Sequence, residues 1–501
     1  MAQAGMAEAG VPAPSEQRLL EWMARQGEIS AAAMLRAISA THLVKVRKGF
    51  GQTIHPARGS ILASTAMGSW DPDPDYFFHW LRDSAIVIDA LRHLISAGTH
   101  VAEGSAHCKD YVAFSHALNR LDGNEFLRLE GGFRKNIDPG FLQFVRSDSD
   151  LRTLSGDRIL GEPRFNPDGT LDISKWSRPQ HDGPAMRALG LMRLWPMGCF
   201  SESDRASMRA LIMTDLGFVF RHWREPSFDI WEEELGQHYA TRLLHHAALM
   251  DGADWIEENG CAEESEQAGD WRKAAQAISE ALDAHWLPGQ GYYASRQETV
   301  NGAEGKDLDF AVILSVIHAQ RKEGPHSILD PKVMATMTRL EDLFAGAYAI
   351  NKNRPARCGP AMGRYAGDSY FSGGAYYFST LGAAEFYYAL AGAVAAGARF
   401  PGTLAPASLL PGQGARKDLL HGTPLGQEPG FDELLRRGDQ FMETVAAFTP
   451  PSGELSEQFD QRTGAQTSAK TLSWSHAAFI TAYARRKEAV CRNSAQTGTA
   501  A

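Results

Sequence analysis

Five cysteines in 501 residues are too few and too scattered for a disulfide scaffold. Cys108, Cys199, Cys261, Cys358 and Cys491 are odd in number and none has a partner at zinc-ligand spacing. They read as free thiols, mostly packing residues, which fits a reducing compartment. No window comes near the roughly 18 apolar residues of a membrane span. No basic run occurs either, and a net charge of −10 with pI near 6.0 excludes nucleic acid and anionic membrane as main partners. The stretch Met1 to Gln17 has neither the basic start nor the apolar core of a signal peptide, so a cytoplasmic location is expected. Gly302 and Gly305 lack a following Lys-Ser/Thr, which excludes a phosphate loop. His238, His245 and His246 share a helix, but no carboxylate completes a metal-binding spacing. No metal and no cofactor are expected.

What is present is an ordinary globular composition, 44% hydrophobic with mean hydropathy −0.30. Apolar spacing with start and stop signals predicts twelve helices, near 17–40, 83–97, 104–121, 183–196, 202–223, 236–257, 266–285, 307–321, 331–349, 374–396, 430–447 and 475–489. Strand-like pieces are limited to stretches such as Gly59–Leu62 and Gly291–Ala294. Residues 1–16 and 491–501 are expected to be disordered, leaving one all-α domain over 17–490, with Pro401 to Gln427 a long surface connection inside it.

The second, eighth, tenth and twelfth helices are apolar nearly all round, while the third, seventh and eleventh are amphipathic. A helix apolar on all sides is enclosed by others. The alternation predicts two concentric layers, six inner helices ringed by six outer ones. Connections from odd to even helices are mostly long and would emerge at one end, where function gathers on a rigid scaffold.

Charged and aromatic residues cluster in those connections. Asp229-Ile230-Trp231-Glu232-Glu233-Glu234 crowds acids against large rings, one way to raise a carboxyl pKa towards neutrality, although acids also favour a helix's first turn. Other clusters are Asp75 to Asp83, Lys175 to Pro184, Gly363 to Tyr370, and Gly453 to Asp460 with Leu472 to His476. Singly, each could be a cap, a lid or an ion pair. Gathered at one end, they suit a sugar: rings stack on pyranoses, and Asp, Glu and Arg bind vicinal hydroxyls. Glycosidic hydrolysis needs a protonated acid at the leaving oxygen and a second carboxylate on the other face. Glu232 and Glu457, on different loops, are the candidates.

Five segments in order resemble glucoamylases of glycoside hydrolase family 15. They are Pro74-Asp75-Tyr76-Phe77 through Trp80-Leu81-Arg82-Asp83-Ser84; Trp176 to Gln180 through Arg187-Ala188; Asp229 to Glu233; Gly363-Arg364-Tyr365 through Tyr370; and Leu455 to Asp460 followed by Ser468 and Trp474-Ser475. The likeness runs from about residue 17 to 490. It implies an (α/α)6 barrel with the active site in the loops at one end, in agreement with the two-layer reading. It implies Glu232 as general acid and Glu457 as general base of an inverting, exo-acting α-glucosidase that frees β-glucose from the non-reducing ends of α-glucans or maltooligosaccharides. Inversion places such carboxyls about 6.5–9.5 Å apart.

The same resemblance implies that Glu233 and Arg364 hold the sugar beyond the cleavage point, and that Arg82 and Asp83 grip the terminal glucose. It implies Trp176 and Asp229 beside the acid, Tyr76, Trp80 and Trp474 as pocket walls, and Ser468 as the hydroxyl orienting the base. Gly374-Ala375-Tyr376 departs from an Asn-Pro-Trp run of the fungal enzymes, which bears on outer stacking. No starch-binding segment is recognisable, so soluble oligosaccharides are expected rather than granules. Relatives on this barrel cleave α-1,6 glucans or trehalose, and a sugar-binding regulator is a further alternative. The sequence gives no sign of oligomeric state.

Overall fold

In the computed structural model of the chain, residues 14–69, 72–260, 264–300, 302, 305–399 and 430–498 are described. Among the described residues twelve long helices dominate: α1 (Pro14–Ala37), α2 (Leu81–Ser96), α3 (Val101–Leu118), α4 (Asp182–Leu194), α5 (Glu202–His222), α6 (Tyr239–Asn259), α7 (Ser265–Asp283), α8 (Ala311–Ala319), α9 (Pro331–Ala347), α10 (Tyr377–Ala395), α11 (Phe431–Phe448) and α12 (Ser473–Thr497). Local chemistry sets their starts. Ser201 and Asp204 close a capping box on α5, and Asp330 accepts from the Lys332 amide ahead of α9, where Pro331 takes the first turn.

The even helices pack in a closed ring, α2 on α4, α4 on α6, α6 on α8, α8 on α10, α10 on α12, and α12 back on α2. Each odd helix lies outside on an even one, α3 on α2, α5 on α4, α7 on α6, α9 on α8, α11 on α10 and α1 on α12. This is the (α/α)6 barrel, and one hydrophobic cluster runs through both layers. Close approach needs glycine at two of the contacts. A Cβ on Gly183 would sit 2.6 Å from Leu81 between α2 and α4, and one on Gly438 would sit 2.4 Å from the Tyr388 ring between α11 and α10.

All six odd-to-even connections reach the N-terminal end of the inner ring, and short strands sew neighbouring loops together. His79–Trp80 pairs with Arg164–Phe165, joining the first and second loops. Ser227–Phe228, Leu235–His238 and Arg296–Val300 join the third and fourth. Ala375–Tyr376, Gln458–Phe459 and Gln466–Thr467 join the fifth and sixth. Isolated bridges Asp309↔Tyr365 and Ser64↔Leu472, with the Phe228 amide on the Pro179 carbonyl, close the circle of loops. Two-residue strands carry no period to read, so most of these were invisible in the sequence. Of the two strand-like stretches, Tyr292–Tyr293 pairs with Trp286–Leu287, and the other supplies only the bridge Ile38↔Ile61.

The described helices reach into both ends of the chain. Helix α1 starts at Pro14, and α12 runs to Thr497 because no breaker intervenes before Gly498, which ends it in the left-handed conformation. Residues 1–13 and 499–501, and the expected connection at 401–427, lie outside the described residues. Among the described residues no helix is long and apolar enough to cross a membrane.

Candidate active site

A pocket of about 550 Å³ opens at the N-terminal end of the inner ring. Tyr76, Trp80, Arg82, Asp83, Trp176, Glu232, Glu233, Arg364, Glu457 and Trp474 all line it, as do Lys175, Trp231, Tyr370 and Phe378. Asp229 and Ser468 lie behind the wall, each bonded to residues or loops that form it.

The third loop makes the first half of the site. Asp229 Oδ1 accepts from the amides of Glu233 (2.7 Å) and Glu234 (2.9 Å), which folds the run into a tight turn. Glu232 sits in that turn with φ +66°, a left-handed backbone unusual for a residue bearing a Cβ. Its carboxyl is thereby turned into the pocket. Oε1 accepts from Trp80 Nε1 at 2.7 Å and Arg82 Nη2 at 3.1 Å, and Oε2 accepts from Trp176 Nε1. The three donors come from the first loop, the first turn of α2 and the second loop, so the loop seam at His79–Trp80 fixes the acid as well as the fold.

Each remaining acid of the run has its own cation. Lys306 Nζ bonds Asp229 Oδ2 at 2.7 Å and Glu233 Oε2 at 2.6 Å, and Arg364 Nη2 lies 2.9 Å from Glu233 Oε1. Asp229 would be raised by its burial, but Lys306 and the loop amides outweigh this and hold it below the usual range. Glu234 is buried against Arg296 at 2.5–2.6 Å and precedes a strand rather than opening a helix, so the first-turn reading does not apply to it. The apparent crowding of like charge is thus neutralised from loops distant in sequence.

The sixth loop makes the other half. Glu457 Oε2 accepts from the Ser468 hydroxyl and Oε1 from the Tyr76 hydroxyl at 3.3 Å, itself 2.8 Å from Tyr370. Ser468 holds φ +62°, which aims its short side chain at the carboxyl. Burial pushes Glu457 up to about 7 against the lowering pull of Ser468, Arg364 and Tyr76. Among the described residues no hydrogen bond joins Glu457 to Glu232, and each draws on its own donors.

Between them lie rings and one arginine–aspartate pair. Phe378 and Trp474 stack at 4.4 Å, with Trp231 parallel beside both. Arg82 spends Nη1 on Asp182 (2.9 Å) and Gln180 (3.1 Å), while its Nε–H has no hydrogen-bond partner among the described residues, Asp83 Oδ2 being 3.7 Å away. Burial raises Asp83 to about 6, despite Arg82. Arg82 and Asp83 both line the pocket, a buried guanidinium beside a raised carboxyl, which suits a hydroxylated ligand.

Sequence reading missed the fourth loop. Lys306, and Asp309, which accepts from Trp231 Nε1 at 2.8 Å and is raised by burial to about 7, lie under the acid turn. The usable signal was topological, since a barrel brings this loop to the same end and Lys306-Asp307-Leu308-Asp309 is its charged stretch. Tyr376, at the departure from the fungal pattern, is buried beneath Arg364 with its hydroxyl 3.1 Å from Asp368, so it is no outer platform. His238 and His245 each spend Nε2 on a carbonyl, of Glu234 and His181.

Carboxyls on separate loops, facing one ring-lined pocket in an (α/α)6 barrel, define a glycoside hydrolase. The family is settled by comparison: the model of glycosyl hydrolases family 15 matches residues 45–484, and the chain belongs to that family. It is similar to Glucoamylase 1 of Rhizopus oryzae, 29% identical across 92% of this chain and 70% of that protein. The probable glucoamylase of Schizosaccharomyces pombe is 26% identical across 94% and 93%. Among solved structures, Hormoconis resinae glucoamylase superposes with a TM-score of 0.73 at 27% identity, covering 93% of this chain and 74% of that one.

Proposed function

We propose that the protein is an exo-acting α-glucosidase of the glucoamylase type, releasing β-glucose by inversion from the non-reducing ends of α-1,4-glucans or maltooligosaccharides. The observation that carries this reading is the pair Glu232 and Glu457, lining one pocket with separate sets of donors. Glu232 is the general acid. Its Oε2 accepts from Trp176, which leaves capacity there for the proton that passes to the glycosidic oxygen. Glu457 is the general base. It takes a proton from water as that oxygen bonds to the anomeric carbon and the bond to the leaving sugar breaks.

Arg82 and Asp83 bind hydroxyls of the terminal glucose, supported by their place in the pocket lining and the raised Asp83 carboxyl. Tyr76, Trp80 and Trp474 wall that glucose, and Trp176 packs beside the acid. Glu233 with Arg364 holds the next sugar. Asp229 and Ser468 are positioning residues, acting through the acid turn and through Glu457. No metal or cofactor is required. A cytoplasmic setting is part of the proposal, supported by the free Cys108, Cys199, Cys358 and Cys491 and by similarity to an intracellular sporulation-specific glucoamylase of Saccharomyces cerevisiae. Nucleic acid and membrane are not proposed as partners.

The test is digestion of maltotriose carrying a label on its non-reducing glucose. Labelled free glucose as the first product supports the proposal; labelled maltose first, or no hydrolysis, overturns it.

A further inference from the structure

The fourth loop has no role in the proposed reaction, yet it reaches under the acid turn. Lys306 is 2% exposed, and its ammonium stands between Asp229 and Glu233, at 2.7 and 2.6 Å. Asp229 is committed to the turn through two amides, so one side of this bridge is rigid. Glu233 is the other side. Its own amide is tied to Asp229, but its carboxylate reaches the pocket, about a third exposed, and among the described residues it is held by side chains. Those are Lys306 and the Tyr365 hydroxyl (2.6 Å) on Oε2, and Arg364 on Oε1. Arg364 is in turn held bidentate by Asp368 at 2.6 and 2.7 Å. Oε2 is therefore committed to the protein, which leaves Oε1 and the Arg364 guanidinium as the groups that meet a ligand.

We infer that Lys306 is a positioning residue that fixes the Glu233 carboxylate for recognition of the sugar beyond the cleavage point, and so sets selectivity for a glucosyl leaving group. The inference rests on the proposed roles of Glu232, Glu457 and Glu233. Lys306 does not touch substrate in this account. It neutralises two of the clustered acids and locks one side of Glu233, so that the other side meets a leaving-group hydroxyl with little reorganisation. Without it, Glu233 faces Asp229 with no intervening cation and swings away. Binding of the leaving sugar suffers, while the acid and base, held by Trp80, Trp176, Arg82, Ser468 and Tyr76, keep their own partners.

The test compares maltose with 4-nitrophenyl α-glucoside, whose leaving group has no sugar hydroxyls. Lys306→Met is expected to lower kcat/KM for maltose by about 10- to 100-fold, the range for losing hydrogen bonds to a charged group. Loss on the aryl glucoside is expected to be several-fold smaller. Tyr365→Phe, at a half-buried position where folding is not at risk, should show the same selectivity with a smaller effect. In a Glu233→Gln background the Lys306→Met effect on maltose should largely vanish, since both changes remove one interaction. Equal loss on both substrates in Lys306→Met and no selectivity in Tyr365→Phe would overturn the inference. So would full additivity of Lys306→Met with Glu233→Gln. Failure of the unaltered protein to hydrolyse either glucoside would instead sink the proposed function on which it rests.

Discussion

The two halves of this barrel both bury charge, and several of their carboxyls are balanced differently, although Asp229 at the loop end is held low by Lys306. In the C-terminal half of the inner ring, Asp89 on α2 accepts from Arg92 at 2.8 Å and Arg193 at 3.3 Å. Its burial would raise it, but the arginines outweigh this and hold it far below the usual carboxylate range. Glu488 on α12 is likewise lowered, by His93 and Arg485 against its burial. At the loop end, burial wins over the available partners at Glu457, Asp83 and Asp309, raised to about 7, 6 and 7. Glu385 on α10 is the exception among the carboxyls near Asp89, raised to about 7 with Arg485 only 3.8 Å away. The contrast teaches that Asp89 and Glu488 are spent on the protein's own cations, while three carboxyls around the loop-end pocket keep capacity for something that arrives from solvent.

Substitution tests that contrast, and the largest expected effect is catalytic. Glu457→Gln preserves shape and the Ser468 hydrogen bond but cannot take a proton, so kcat should fall by about 10²–10⁴-fold with KM little changed. Steady-state kinetics on maltotriose checks this, and turnover near that of the unaltered protein would remove the base assignment. Next is a loss of stability at Asp89. Asp89→Asn leaves Arg92 and Arg193 without their carboxylate and should cost about 2–4 kcal/mol, read by denaturant unfolding at pH 7. Because Asp89 is lowered on folding, that contribution is present above the unfolded pKa and lost as pH falls through the folded value.

At the loop end the sign reverses. Glu457 is raised on folding, so its ionisation costs stability as pH rises from about 4.5 towards about 7. Glu457→Gln should therefore stabilise the protein by about 1–3 kcal/mol at pH 8 and by much less at pH 4. A Tm that falls at pH 8 would break the comparison between the ends. The smallest change is Ser468→Ala. Its hydroxyl favours the ionised base, so removing it should lower kcat about tenfold and move the acidic limb of the pH–rate profile upward from near 7. An unmoved limb would mean that Ser468 does not tune Glu457.

The layering was readable because enclosure leaves a mark on every turn of a helix. Runs such as Ala311-Val312-Ile313-Leu314 have no polar face, and α8 proved to be inner. The carboxyls and rings of the site were readable because they stand in compact clusters. What escaped was pairing across distance. Nothing near Lys306 in the chain hints at Asp229 or Glu233, 77 and 73 residues away. Asp309 does cap α8 through the Ala311 amide, and its second contact, with Trp231, leaves no local trace. The crowded acids suggested unrelieved repulsion because their cations, Lys306, Arg296 and Arg364, come from other loops. Adjacency is written in the sequence; neutralisation is a property of the fold.

The central claim, that Glu232 and Glu457 act as an acid and a base across one pocket, is tested most directly by proton NMR of the first glucose released from maltotriose. The account predicts the β-anomer first, with α-glucose appearing only at the rate of mutarotation. Initial release of α-glucose would contradict it.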